Sequence, residues 1–533
     1  MTFIRNNVSL RAFVFPGYDA EVVRTGDAPP MPWRDLHPSV QRLITLLAFF
    51  DSEDIPLDLL VPVEAIPAEY SFLKENLKKW LKRVLLKRPK VHASTSPPLS
   101  ERIWAEAWLD TASMSYSTLV SDYRHEPSHE DRELACLVAA MLLYDKFPRR
   151  HTAEQMEDYF GTCGSLICHV ECFAQRYKEL QHQGFSQKIG NLSFLLSDAA
   201  LYLQDIGFPS RALRLIRLAV QESTESTVQS PSTSIFLLGT CGTIEDQLAH
   251  YEDAVRSFSA VLKQEEALDP PSLATLAFAH SMLAYALPGI WRAEDAIVAA
   301  NRSIAIFEFE TADACVDEGT QLAYQPDRLH RNRARAYFFA GDFDTAKKGF
   351  EVADEWATRI HGEKSHYHGE VLYSLARIAM AQQEYGKASR LFCEARFWLR
   401  PDSIPPFKYT GARAAATLQL GRVLTLQGKT AEALEEFDHA LSLTRDNVER
   451  GEGLGERARI QWWRADVLEK LRAEALEEFR EGEEVEAFKD EAEAMREEAM
   501  KSREELYSTG KFVRPSDEDG ETMWDGLVGV MYR

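Results

Sequence analysis

The chain has 533 residues, with 61 Lys and Arg against 83 Asp and Glu, giving a formal charge of −22. That excess works against broad binding to a phosphate lattice and leaves room for one local basic patch at most. A hydrophobic share of 45% and a charged share of 27% suit a globular chain of about three units, not a disordered one.

The start, MTFIRNNVSLRAFVFPGYDAEVV, has no basic stretch followed by an uninterrupted apolar run, so no secretory signal is expected. No segment approaches the roughly 18–20 apolar residues that cross a bilayer. Seven cysteines, an odd number, make no disulfide framework, and a reducing, cytoplasmic setting is the expectation.

After an extension over 1–35, residues 36–124 read as a small module. Val40, Leu43, Leu46 and Leu47 recur at helical spacing, and Ile55-Pro56 opens a further helix after an acidic turn. Residues 71–88 predict a basic amphipathic helix with Leu73, Leu77, Trp80, Leu81 and Val84 on one stripe. A Pro/Ser-rich break follows at 88–102. Residues 125–188 return to helical patterning and serve as a linker.

From 189 to 472 the chain repeats itself. GDFDTAKKGFEVA (341–353), QEYGKASRLFCEA (383–395) and GKTAEALEEFDHA (428–440) align Ala346/Phe350/Ala353, Ala388/Phe392/Ala395 and Ala433/Phe437/Ala440. Weaker copies are Ala212/Ile216/Ala219, Ala254/Phe258/Val261 and Ala296/Ala300/Ser303. Residues four and three apart share a helix face. The small residue permits close approach of a paired helix, and the phenylalanine is expected to fill the gap between pairs. Gly341 and Gly428 stand where a tight interhelical turn needs φ > 0. One helix pair cannot bury its apolar face alone, so the pairs must stack into an all-α solenoid. Equivalent alanines lie 42, 42, 50, 42 and 45 residues apart. The long interval, with FEFETADACVDEGTQLAYQPDR at 307–328, predicts a lengthened helix or loop and a candidate binding edge.

The pattern Leu420, Gly421, Leu424, Gly428, Ala433, Phe437, Ala440 resembles the tetratricopeptide repeat, as does Leu375, Ala376, Tyr385, Ala388, Phe392, Ala395. The common repeat has about 34 residues. The excess resembles the long-helix variety of kinesin light chains and of signal-transduction ATPase sensor arms. Further upstream, PSVQRLITLLAFFDSEDIPLDLL (38–60), AAMLLYDKFPRR (139–150) and QRYKEL (175–180) resemble the winged-helix and linker part of fungal NOD-like proteins of that ATPase class. STLVS (117–121) stands where that family usually has a His-Arg-Leu-Val-Gln element. About 35 residues precede the winged-helix-like opening, too few for the family's nucleotide-binding domain, so the resemblance does not carry ATP hydrolysis with it.

Residues 473–506 predict a single acidic helix capping the solenoid, with Ala475, Phe479, Phe488, Ala492, Met495 and Ala499 on its apolar stripe. The tail, 507–533, carries Met523, Trp524, Leu527, Val528, Val530 and Met531, and is expected to dock back onto the solenoid, with binding in trans as the alternative.

Chemical motifs are weak. Gly428-Lys429-Thr430 lacks the earlier glycine of a phosphate loop and sits in a repeat turn. CGSLICHVEC (163–172) lacks the second ligand pair that structural zinc prefers. No catalytic residue, cofactor site or metal site is assigned. The groove formed by the first helices of the pairs is the expected binding surface. Its candidate residues are Arg328, His330, Arg331, Arg333, Arg335, Tyr337, Arg377, Arg413 and Arg422, a set that suits an acidic peptide. The expected function is therefore a non-catalytic adaptor with a protein or peptide partner and no membrane. The alternatives are a DNA-associated regulator using Lys74, Lys78, Lys79, Lys82, Arg83, Lys87, Arg88 and Lys90, and an enzyme with an unrecognised site, which would need a polar concave pocket of convergent titratable groups.

Overall fold

The computed structural model describes residues 48–50, 129–149, 156–185, 189, 191–225, 230–312, 324–362, 365–399, 410–449, 452–478, 483–515 and 522–528. Apart from Ala48, Phe49 and Phe50, the winged-helix-like module and its basic helix lie outside the described residues. Among the described residues every regular element is helical. The chain divides into two units, 1–202 with 221–226, and 203–220 with 227–533.

In the first unit α1 spans His129–Lys146 and α2 spans Met156–His182. Helix α2 buries Tyr159, Cys163, Leu166, Val170, Phe173, Tyr177 and Leu180, one stripe at helical spacing. Tyr177 Oη donates to Glu222 at 2.7 Å, and Gln181 Nε2 donates to the other carboxylate oxygen at 2.7 Å. In the 163–172 segment, Cys163 and His169 are buried, His169 lies edge-on to Phe50, and Cys168 is exposed. The helix therefore points these groups apart.

Helices α3 (Leu192–Asp205) and α4 (Pro209–Glu225) cross from one unit to the other. The second unit continues with α5 (Pro231–Gln247), α6 (Tyr251–Glu266), α7 (Leu273–Ala286), α8 (Ala293–Thr311), α9 (Pro326–Phe339) and α10 (Phe343–His361). It ends with α11 (His366–Ala381), α12 (Tyr385–Trp398), α13 (Thr410–Leu426), α14 (Thr430–Glu449), α15 (Leu454–Glu477) and α16 (Glu483–Ser508). Each of these pairs, α5/α6 through α15/α16, packs on itself and on the next. The unit is a tetratricopeptide-type helical solenoid.

All eighteen residues of the six aligned triplets are buried, and each triplet sits on the second helix of its repeat. The phenylalanine does more than fill a gap between pairs. Its ring rests on a small residue of its own pair, placed sixteen positions earlier. A Cβ on Gly242 would come 2.9 Å from the Phe258 ring, and one on Gly421 would come 3.1 Å from the Phe437 ring. Ala334 and Ala376 hold the same place under Phe350 and Phe392, and both are fully buried. Phe350 also reaches Val371 and Ile378 of the next pair.

The turns repeat as well. Gly341 and Gly428 adopt φ of +82° and +74°. Each donates its N–H to the carbonyl three residues back, and the next residue donates five back, as a helix C-terminus in the left-handed turn requires. Ala249, Trp291 and Gln383 make the same turn with positive φ and a side chain. Most of the long interval, 313–323, lies outside the described residues; α8 itself runs on to Thr311.

Two expectations need correction. The segment Leu273–Ile290 is long and apolar enough to cross a membrane by length and composition, and it is 61% buried inside the solenoid. Its helix α7 is apolar all round because it packs on α5, α6, α8 and α9. The acidic stretch 473–506 is also not one helix. Residues 474–477 complete α15, and α16 starts at Glu483 and returns antiparallel. Ala458 meets Ala499 in one core, and Leu468 meets Ala492 in another. Arg464 pairs with Glu491 at 2.6 Å. What composition presents as a lone cap is half of a further helix pair.

Candidate functional site

First helices of successive pairs, α5, α7, α9, α11, α13 and α15, contribute residues to one common face. In the second unit that face lines a cavity of about 510 Å³ that is partly open to solvent. Its floor is α9, which starts at Pro326, a residue that fits the first helical position. The spacing Arg328, Arg331, Arg335 places three guanidinium groups on one stripe of α9, and all three line the cavity.

Two of them are deeply held. Arg331 is 5% exposed and Arg335 6%. Glu370 of α11 takes both, at 3.1 Å from Arg331 Nη1 and 3.8 Å from Arg335 Nη2. Arg335 Nη1 also donates to Asn332 Oδ1 at 3.4 Å, and Asn332 Nδ2 donates to Ser281 Oγ at 3.0 Å. The guanidinium planes lie over aromatic rings: Arg331 over Tyr367 and Arg335 over Tyr285, each at 5.0 Å, and Arg328 over Phe278 at 5.6 Å. Arg331 Nε and Arg335 Nη2 are buried with no hydrogen-bond partner among the described residues.

Burial pushes Arg328 and Arg335 below the usual guanidinium value, and the neighbouring Arg331 charge adds to it. Burial likewise raises the Tyr285 and Tyr367 hydroxyls, so both stay neutral donors. Arg331 and Arg335 share Glu370, and two further buried carboxylates act on the wall, Asp327 on Arg328 and Arg331 and Asp246 on Arg335. The lining also includes Glu452, Glu456 and Lys511. Glu452 accepts from the Ser210 backbone N–H at 3.0 Å and from its hydroxyl at 2.8 Å, and burial raises the Glu452 carboxyl. Glu456 is raised too, again chiefly by burial.

The remaining sequence candidates fall elsewhere. His330 lies edge-on to Phe307, and burial, with Arg333 beside it, lowers its imidazole to about 4. Arg333 lies over the Tyr337 ring, whose hydroxyl is bonded to Asn301 at the α8 side. Arg377 covers Phe338 and Phe339. Arg422 donates to Gln419 at 2.9 Å and stacks on Trp463 at 4.3 Å. Arg413 is half-buried and is not among the cavity-lining residues. On α9 the split follows helix geometry: 328, 331 and 335 share one face, while 330, 333 and 337 share another. Sequence reasoning missed Glu370, Asn332, Tyr285 and Tyr367. Their signal was available, since Tyr285 and Glu370 stand on the first helices one repeat to either side of α9.

No protein-family model matches the chain, and no curated protein matches it. Among solved structures, the chain is similar to BtubC from P. vanneervenii at 16% identity, over 46% of this chain and 91% of that one, with a TM-score of 0.33. It is similar to the quorum sensor NprR from B. thuringiensis at 13% identity, over 74% and 97%, with a TM-score of 0.39. A signal-transduction ATPase with a tetratricopeptide-repeat sensor from Pyrococcus horikoshii aligns at 13% identity, over 89% of this chain and 64% of that protein, with a TM-score of 0.42.

Proposed function

We propose that this chain is a non-catalytic binding scaffold whose solenoid takes a protein or peptide segment on its inner face, an acidic group of that segment meeting Arg328, Arg331 and Arg335. The observation that carries this is the buried arginine wall, where two guanidinium groups share Glu370 and each keeps a buried N–H without a hydrogen-bond partner among the described residues. A carboxylate brought there forms charge-assisted hydrogen bonds in a shielded site. The motifs at 38–60 and 139–150 support a wider reading, in which the solenoid is a cytoplasmic sensor arm like that of NOD-like signalling proteins. The cavity does meet the spatial requirement for catalysis, a concave polar pocket. Among the described residues, however, its contacts tie arginine, glutamate and asparagine to one another and align no nucleophile with a base.

The test is selection of peptides from a random 12-residue display library on the full chain. The expected outcome is enrichment of Asp- and Glu-bearing peptides that lose at least tenfold in affinity for the Arg331→Gln/Arg335→Gln double variant. Enrichment of neutral or basic peptides that bind both proteins equally would overturn the reading.

A further inference from the structure

The chain does not stop at its last helix pair. After α16 it turns at Gly510, where φ is +68°, and returns. Met523, Trp524 and Leu527 then bury in a core with Ala458, Ala499 and Tyr507. The expected docking in cis is therefore present, and it reaches further than the last pair. Tyr251 Oη, at the start of α6, donates to the Val528 carbonyl at 2.5 Å across 277 residues of sequence. The Phe512 ring meets His250 edge-on, with centroids 5.4 Å apart. Ser210 and Glu452 make a second crossing, over 242 residues.

Three glycines make close approaches at and near this crossing. A Cβ on Gly455 would overlap the Leu527 carbonyl oxygen, one on Gly526 the Val513 carbonyl oxygen, and one on Gly289 the Tyr251 ring. Gly455 thus seats the tail against α15, Gly526 lets the tail fold on itself beside Tyr507, and Gly289 makes room for the Tyr251 ring that reaches the tail. The seat also bears on the cavity. Leu506, Thr509, Lys511, Phe512 and Leu527 form part of its wall.

We propose that residues 506–515 and 522–528 are an intrachain latch that closes the solenoid around the cavity, and that a ligand enters when the latch leaves Tyr251 and His250. The two ends of the latch are unequally held. On its own pair it is anchored by a fully buried indole, Trp524. On the far side it is held by the Tyr251 hydrogen bond, the His250–Phe512 ring contact and the packing of the partly buried Phe512 ring on Ala249 and Tyr251. Opening therefore begins at the α6 side, where the tail's ring, Phe512, is only partly buried.

Closure is measured without any ligand, so its failure is separable from failure of the proposed function, on which the entry of a ligand rests. A cysteine is placed in the cavity wall by Asn447→Cys, and its maleimide modification is followed by peptide mass spectrometry. Cys393, exposed on α12, is the unaffected reference, and Cys241, buried on α5, reports unfolding. The expected result is slow modification in the full chain. The rate should rise at least tenfold in a chain ending at residue 521 and in Gly526→Val, and severalfold in Tyr251→Phe, with Cys241 still protected. Equal cavity rates in all four proteins would overturn the latch. If Cys241 becomes reactive in the shortened chain, Tyr251→Phe decides, because it removes one hydroxyl and leaves the Trp524 core in place. Faster modification with no acidic peptide selected would keep the latch and sink the ligand reading.

Discussion

At the residue scale, the repeat turns show which positions were free to vary. Six repeat turns share one hydrogen-bond pattern, yet glycine occupies the left-handed position in only three of them, Gly207, Gly341 and Gly428. Gln383, at φ +62°, bears the steric cost that Gly341 and Gly428 avoid, and its side chain is exposed. Gln383→Gly should therefore stabilise the protein by about 1 kcal/mol, read as a higher urea midpoint with an unchanged slope. A fall in the midpoint would mean that the side chain holds the turn in some other way. The arginines show the limit of reading residues singly. Their abundance on the first helices is plain in the sequence. Which of them face the cavity depends on helix phase, so Arg331 joins Glu370 while Arg333, two positions on, turns to Tyr337.

At the element scale, the sixteen-residue relation between a small residue and the ring above it is the unit of construction. Phe437 is fully buried on Gly421 and beside Ala433 and Ala440. Phe437→Ala should cost about 3–5 kcal/mol through lost burial and the cavity left behind. Gly421→Leu alone should also destabilise, by about 1–3 kcal/mol, because the ring cannot retreat. Combined, the two should cost at least about 1 kcal/mol less than their sum, since the new leucine fills the vacated space. Strict additivity in urea melts would show that the two positions do not share one volume. The same logic was legible in sequence for α9 to α14, where the triplets are regular. It failed for 473–506, because charge composition cannot show where a long helical run is interrupted.

At the scale of the whole molecule, closure of the second unit adds a pH dependence. His250 faces Phe512 and Lys511 of the latch, Asp253 on its own helix and Arg217 of α4. Burial, followed by Lys511, lowers its imidazole from 6.5 to about 4. A lowered histidine contributes stability that is complete above its unfolded value and is lost as pH falls through 6.5 toward 4. Glu452, raised by burial, works against this at the acid end of the window. The net expectation is a loss of about 1 kcal/mol by about pH 5, after allowance for solvent screening, and a smaller loss in His250→Gln. Urea melts at about pH 7 and 5 on both proteins check it. Equal acid losses would place the sensitivity at another group, such as His330, which is lowered to about 4 by burial and Arg333.

What the sequence by itself determined is the local and periodic part of the protein. Small and large residues recur on one helix face, so helix pairs, their stacking and their turns follow from contacts made within tens of residues. Tertiary structure alone decided the closure. Ser210 meets Glu452, and Tyr251 meets Val528, across more than 240 positions with no shared period. Such meetings depend on small rotations accumulated from pair to pair, and no single repeat contains that sum. The same accumulation brings Tyr285, Arg335 and Glu370 to one wall, and so makes a site from residues that are unremarkable within their own helices.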